Sequence, residues 1–70
     1  MNRKGFDIWY DGTCIHEENG FDVEYTQDLY DDVITWWVEH DNDGTEPDDY
    51  LVKIFVDGEE EELTIAELLE

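Results

Sequence analysis

Residues 6–17, FDIWYDGTCIHE, set the architecture. Phe6, Ile8 and Tyr10 alternate with Asp7 and Trp9, the two-residue period of a strand with one covered face. Asp11-Gly12 then supplies a two-residue hairpin turn, because Gly accepts positive φ freely and Asp tolerates it better than most residues. The return strand is expected over 13–17, with Ile15 opposite Ile8 and His16 paired with Asp7. Beyond it, Glu18-Asn19-Gly20 precedes a second alternation, Phe21, Val23 and Tyr25 against Asp22 and Glu24. A three-residue loop with Gly20 left-handed would bring Val23 beside Ile15 and keep the apolar row unbroken. The chain up to Tyr25 therefore reads as a three-stranded meander. Its apolar face is Phe6, Ile8, Ile15, Phe21, Val23 and Tyr25, and its wet face is Asp7, His16, Asp22 and Glu24.

Thr26 is the expected N-cap of a helix over 27–39, with Asp28, Asp31 and Asp32 near the positive end of its dipole. At about 100° per residue, Leu29, Tyr30, Val33, Ile34, Trp36 and Trp37 share a broad apolar side. Asp28, Asp31, Asp32, Thr35 and Glu39 take the opposite side. Core packing accounts for most of the Trp36-Trp37 arc, and a homodimer seam or an anchor into a partner for the remainder. Asp41-Asn42-Asp43-Gly44 stops the helix, and Pro47 lies in the following loop. Tyr50–Val56 is a β-rich run around Lys53. Asp57-Gly58 turns it, and 61–64 returns with Glu62 facing Lys53. Thr64-x-x-Glu67 is a capping box for a last helical turn with Ile65, Leu68 and Leu69 inward. The expected fold is α+β, one domain over 1–70 with elements in the order βββαββα. An antiparallel sheet of four or five strands carries one main helix on its apolar face.

Three Lys and Arg stand against 22 Asp and Glu in 70 residues, a formal charge of −19. That balance excludes nucleic-acid binding through a basic patch and a polybasic membrane module. No run approaches the length of a membrane span, and the opening residues do not read as a leader. The sequence contains no Ser, which removes serine-nucleophile mechanisms, and its single Cys14 can form no internal disulfide. A reducing compartment, the cytoplasm, is expected. Catalysis by paired carboxylates needs one of them in an apolar pocket, and a domain of this size has little room for a substrate cleft. The expectation is a protein that is not an enzyme.

Metal sites fare no better. From Glu39 to Gly44 acids occupy positions 1, 3 and 5 of a calcium-loop pattern with Gly at 6, but position 12, which needs a bidentate Glu, is Tyr50. Cys14, His16 and His40 lack the paired spacing of a zinc site. No metal and no cofactor is expected.

The acidity itself is the main signal. No Lys or Arg occurs between Lys4 and Lys53, whereas an ordinary surface mixes both signs. A sphere-like body of this length is roughly 28 Å across. Duplex DNA carries about one charge per 1.7 Å, hence ~16 over that span. The two anion loads are comparable. In size, anion load and α+β pattern the whole chain resembles the small acidic counter-defence proteins of phages and mobile elements that mimic DNA, anti-CRISPR proteins among them. No shared motif carries the resemblance, so it transfers no residue roles. It implies an inhibitor that blocks a nucleic-acid-binding enzyme.

The sequence therefore predicts a non-enzymatic phosphate mimic, monomer or homodimer, in the host-cell cytoplasm. Its partner is a basic nucleic-acid-binding protein, a CRISPR effector or another nuclease, and it binds no nucleic acid directly. The carboxylates expected to face that partner are Asp28, Asp31, Asp32 and Glu39 on the helix, Asp22 and Glu24 on the sheet, and Asp43, Glu46, Asp48 and Asp49 in the loop. The rival readings are an immunity-type protein neutralising a basic toxin nuclease and a small salt-adapted structural domain.

Overall fold

Both predicted two-residue turns form. Asp11 (φ 52°) and Gly12 (φ 77°) join strand β1, Lys4–Tyr10, to β2, Thr13–Asn19. Asp57 (φ 51°) and Gly58 (φ 90°) join β3, Tyr50–Val56, to β4, Glu59–Thr64. Two consecutive positive φ values match the twist of the strands they connect. The structure, a computed structural model, describes residues 3–40 and 46–70. Its four strands form one antiparallel sheet in the order β2-β1-β3-β4.

One sheet face is covered. Phe6 and Ile8 from β1, and Val52, Ile54 and Val56 from β3, are buried there beneath Leu29, Val33 and Trp36. Leu29 ends a 3-10 turn, Thr26–Leu29, and the other two lie on helix α1, Tyr30–Glu39. Helix α2, Ile65–Leu69, closes one end with Ile65. The Thr64 hydroxyl accepts the Glu67 N–H at 3.2 Å, the expected cap. The architecture is α+β with one main helix across the apolar face of a four-stranded antiparallel sheet.

Three local expectations are corrected. First, the hairpin contains a β-bulge. Ile8 pairs with His16 and Trp9 with Cys14, so Ile15 is the extra residue. A one-residue slip exchanges the faces of everything beyond it. His16 therefore joins the helix side instead of pairing with Asp7, while Ile15 is 47% exposed.

Second, residues 21–25 join no sheet. After the bulge, β2 offers only Thr13, His16 and Glu18 on the core side, and a third strand there would find no apolar row to extend. Gly20 is left-handed as expected (φ 87°), but the N–H groups of Gly20 and Phe21 both donate to the Lys4 carbonyl. The Phe21 ring then stacks on Phe6 at 5.6 Å, and Tyr25 is left exposed.

Third, the helical segment opens with Tyr25 at the cap, not Thr26. The Tyr25 and Glu24 N–H groups donate to Asp28 Oδ2 at 3.1 and 3.4 Å. A charged carboxylate is a strong acceptor, and here it satisfies the two N–H groups that lead into the first turn. The molecule measures 37 × 22 × 18 Å, a short rod where composition alone suggested a sphere.

Candidate anionic docking surface

The carboxylates take their places from these elements. Val33 and Trp36 point α1 at the sheet, which leaves Asp31, Asp32 and Glu39 on its exposed side. Glu46 precedes the 3-10 turn Pro47–Asp49, and Glu46, Asp48 and Asp49 are all exposed. That turn packs against α2 and β4. Asp49 faces Tyr10 and Asp11 of the hairpin tip across a cavity of about 340 Å³.

Asp22 and Glu24 are exposed as well, but on the segment leading to the helix and not on the wet face of the sheet. Asp28 is exposed, with one oxygen committed to the helix cap. Asp43 lies outside the described residues. Apart from Asp22 and Glu24 on the preceding segment, the described predicted residues form two groups. One lies along α1, and the other surrounds the Pro47–Asp49 turn.

Beyond pairing Glu62 with Lys53, the sequence pointed to no role for the run Glu59-Glu60-Glu61-Glu62. It forms most of edge strand β4, where same-face carboxylates recur every ~6.8 Å, two residues of strand rise. A charged edge also keeps other strands from adding to the sheet. The run was visible in the sequence, but its place at an edge depends on strand order. Glu61 accepts a hydrogen bond from the Tyr30 hydroxyl at 2.5 Å. That bond, with burial and the Glu61 charge adding to it, pushes the Tyr30 hydroxyl up to about 12.

All three cations are engaged with carboxylates. Arg3 pairs with Asp7 and approaches Glu17 at 3.8 Å, Lys4 lies 3.6 Å from Asp57, and Lys53 lies 3.9 Å from Glu62. Arg3 and Lys53 both sit on the uncovered sheet face, over the Phe55 ring at 4.4 Å and the Trp9 ring at 5.1 Å. The hydrogen bond to Asp7 raises the Arg3 guanidinium above its ordinary value, against the opposing effect of burial. On that face the two cations stand among the carboxylates of Asp7, Glu17, Glu60 and Glu62. The exposed flank of α1 and the Pro47–Asp49 turn have no cation among the described residues. Of the described acids only Asp7 is buried and Glu61 half-buried.

Among the described residues, no three His, Cys, Asp or Glu side chains converge as a metal site. No helix is long and apolar enough to cross a membrane. Comparison of the chain with protein-family models, curated proteins and solved structures gives no match.

Proposed function

We propose that this protein is a non-enzymatic inhibitor that mimics nucleic-acid phosphates and occupies the Lys- and Arg-lined site of a nucleic-acid-handling protein in the cytoplasm. A CRISPR effector is the first client to test. One observation carries the reading: the few cations are held in ion pairs at the bare sheet face and the sheet end, while the α1 flank and the Pro47–Asp49 turn present acids and, among the described residues, no Lys or Arg. A duplex of the same 37 Å length carries about 22 charges at one per ~1.7 Å, close to the −19 of this chain.

The mechanism is electrostatic. The net charge accelerates encounter with a basic groove. Carboxylates fixed on a folded scaffold then form charge-assisted hydrogen bonds with the Lys and Arg that would hold phosphates. Nucleic acid is excluded by occupancy, with no bond made or broken.

The test is affinity capture from the natural host, using the wild-type chain beside a variant carrying Asp31→Lys, Asp32→Lys and Glu39→Lys. These side chains are exposed and carry no core packing, so the fold should survive. The wild type should retain a basic nucleic-acid-binding protein that the variant does not. Equal retention by both would remove the α1 flank from the contact surface.

A further inference from the structure

The bulge at Ile15 creates something the mimicry reading does not require. It turns His16 toward the C-terminal end of α1, where a cavity of about 260 Å³ opens between β2 and the helix. Its walls are the rings of Phe21, His16, Trp36 and His40. The His16 and Trp36 centroids are 5.3 Å apart, Trp36 and His40 4.3 Å, and His16 and His40 6.1 Å. The carboxylates of Glu18, Asp32 and Glu39 complete the lining. Trp36 is only 8% exposed, and its indole N–H has no acceptor. A buried donor without a partner is uncommon in native proteins.

The rings are held in place. His40 Nδ1 lies 2.8 Å from the Trp36 carbonyl, which fixes the proton on Nδ1 because a carbonyl only accepts. His16 Nε2 lies 3.0 Å from Glu18 Oε2 but out of hydrogen-bonding alignment. Glu18 therefore retains acceptor capacity toward the cavity.

The geometry points to a receptor for one arginine side chain of the client. This inference rests on the proposed function and names the residue type that function engages first. Aromatic faces attract a cation through the ring quadrupole, and a planar guanidinium stacks on them while bonding carboxylates at its edge. Three carboxylates in a site with no Lys or Arg disfavour an anionic ligand. A bare metal ion does not fit either, since no three donors converge. A guanidinium meets both features of the lining at once: a cation for the carboxylates and a planar face for the rings.

The experiment is a ¹⁵N–¹H titration of the whole chain with N-acetyl-arginine amide, with N-acetyl-lysine amide in parallel. The Trp36 indole resonance should shift saturably with the arginine compound and respond about fivefold more weakly to lysine. A variant carrying Asp32→Asn and Glu39→Gln should bind the arginine compound about tenfold more weakly. One carrying Asp48→Asn and Asp49→Asn should bind it normally.

The inference is overturned if the Trp36 indole moves no more than those of Trp9 and Trp37. Equal weakening by both variants, or a response to zinc at lower concentration than to arginine, overturns it as well. The two proposals separate cleanly. No arginine site, with a captured client still displaced by DNA, removes the receptor and leaves mimicry standing. A functional arginine site with a client indifferent to DNA does the reverse.

Discussion

Arg3 holds Asp7 with both arms of its guanidinium, Nη2 to Oδ1 at 2.5 Å and Nη1 to Oδ2 at 3.3 Å. Among the described residues Asp7 is the one buried charged side chain, 8% exposed in the middle strand pair of the sheet. The same guanidinium covers Phe55 and donates through Nε to Asn19. A chain with so few cations therefore uses one of them to neutralise a carboxylate that it draws inside. Among the described residues, most of the exposed acids have no Lys or Arg beside them; Glu17, Asp57 and Glu62 are the exceptions.

Removing Arg3 should consequently cost more than a surface ion pair does. Arg3→Ala leaves the buried Asp7 without its guanidinium partner, with an expected loss of about 1–3 kcal/mol in urea unfolding. Adding Asp7→Asn to Arg3→Ala should recover part of it, because the stranded charge is gone. A double variant weaker than Arg3→Ala alone would show that Asp7 is stabilised by something other than Arg3.

Gly5 is needed for space, not for turn geometry. A Cβ there would collide with the Glu18 carbonyl oxygen and the Asn19 backbone across the β1–β2 pair. Those are backbone atoms and cannot rotate away. Gly5→Ala should destabilise by about 1–3 kcal/mol, as overpacking does. Gly20→Asn, at an open left-handed position, should cost well under half as much. Thermal unfolding of the two variants side by side checks the ranking.

Tyr30 gives a pH signature at the alkaline end. Its hydroxyl ionises near 12 in the folded chain against 10.0 for an ordinary tyrosine, because the neutral form donates to Glu61. A raised folded value means the contribution to stability is complete below pH 10 and is lost as pH climbs toward 12. Tyr30→Phe should flatten that loss without changing the slope at neutral pH. Ultraviolet titration should show a late-ionising tyrosine in the wild type that Tyr30→Phe removes.

Salt separates mimicry from salt adaptation. Surface self-repulsion in a chain of −19 is relieved as the Debye length falls from ~30 Å at 0.01 M to ~8 Å at 0.15 M. The melting temperature should therefore rise mostly below about 0.2 M and then level off. A continued steep rise toward molar salt would favour the salt-adapted structural domain.

Period and turn chemistry carried most of the architecture. The alternation of Phe6 and Ile8, the Asp11-Gly12 and Asp57-Gly58 turns, the Lys53–Glu62 pair and the Thr64 cap all follow from local rules, and all are present. The bulge left no such mark. Thr13 to Glu17 alternates well enough as a regular strand, and only the packing of the helix decides that His16 belongs inside and Ile15 outside. The fate of residues 21–25 followed from that slip. For the site, exposed acids on α1 were legible from helical spacing. The cavity was not, since it joins His16 to Trp36 and His40 through a register no local pattern reveals.

The most direct measurement titrates duplex DNA into a complex of this protein with its captured client. The apparent dissociation constant of the complex should rise in proportion to DNA concentration, with no species containing all three components. A constant affinity, or a stable ternary complex, would contradict occupancy of the nucleic-acid site.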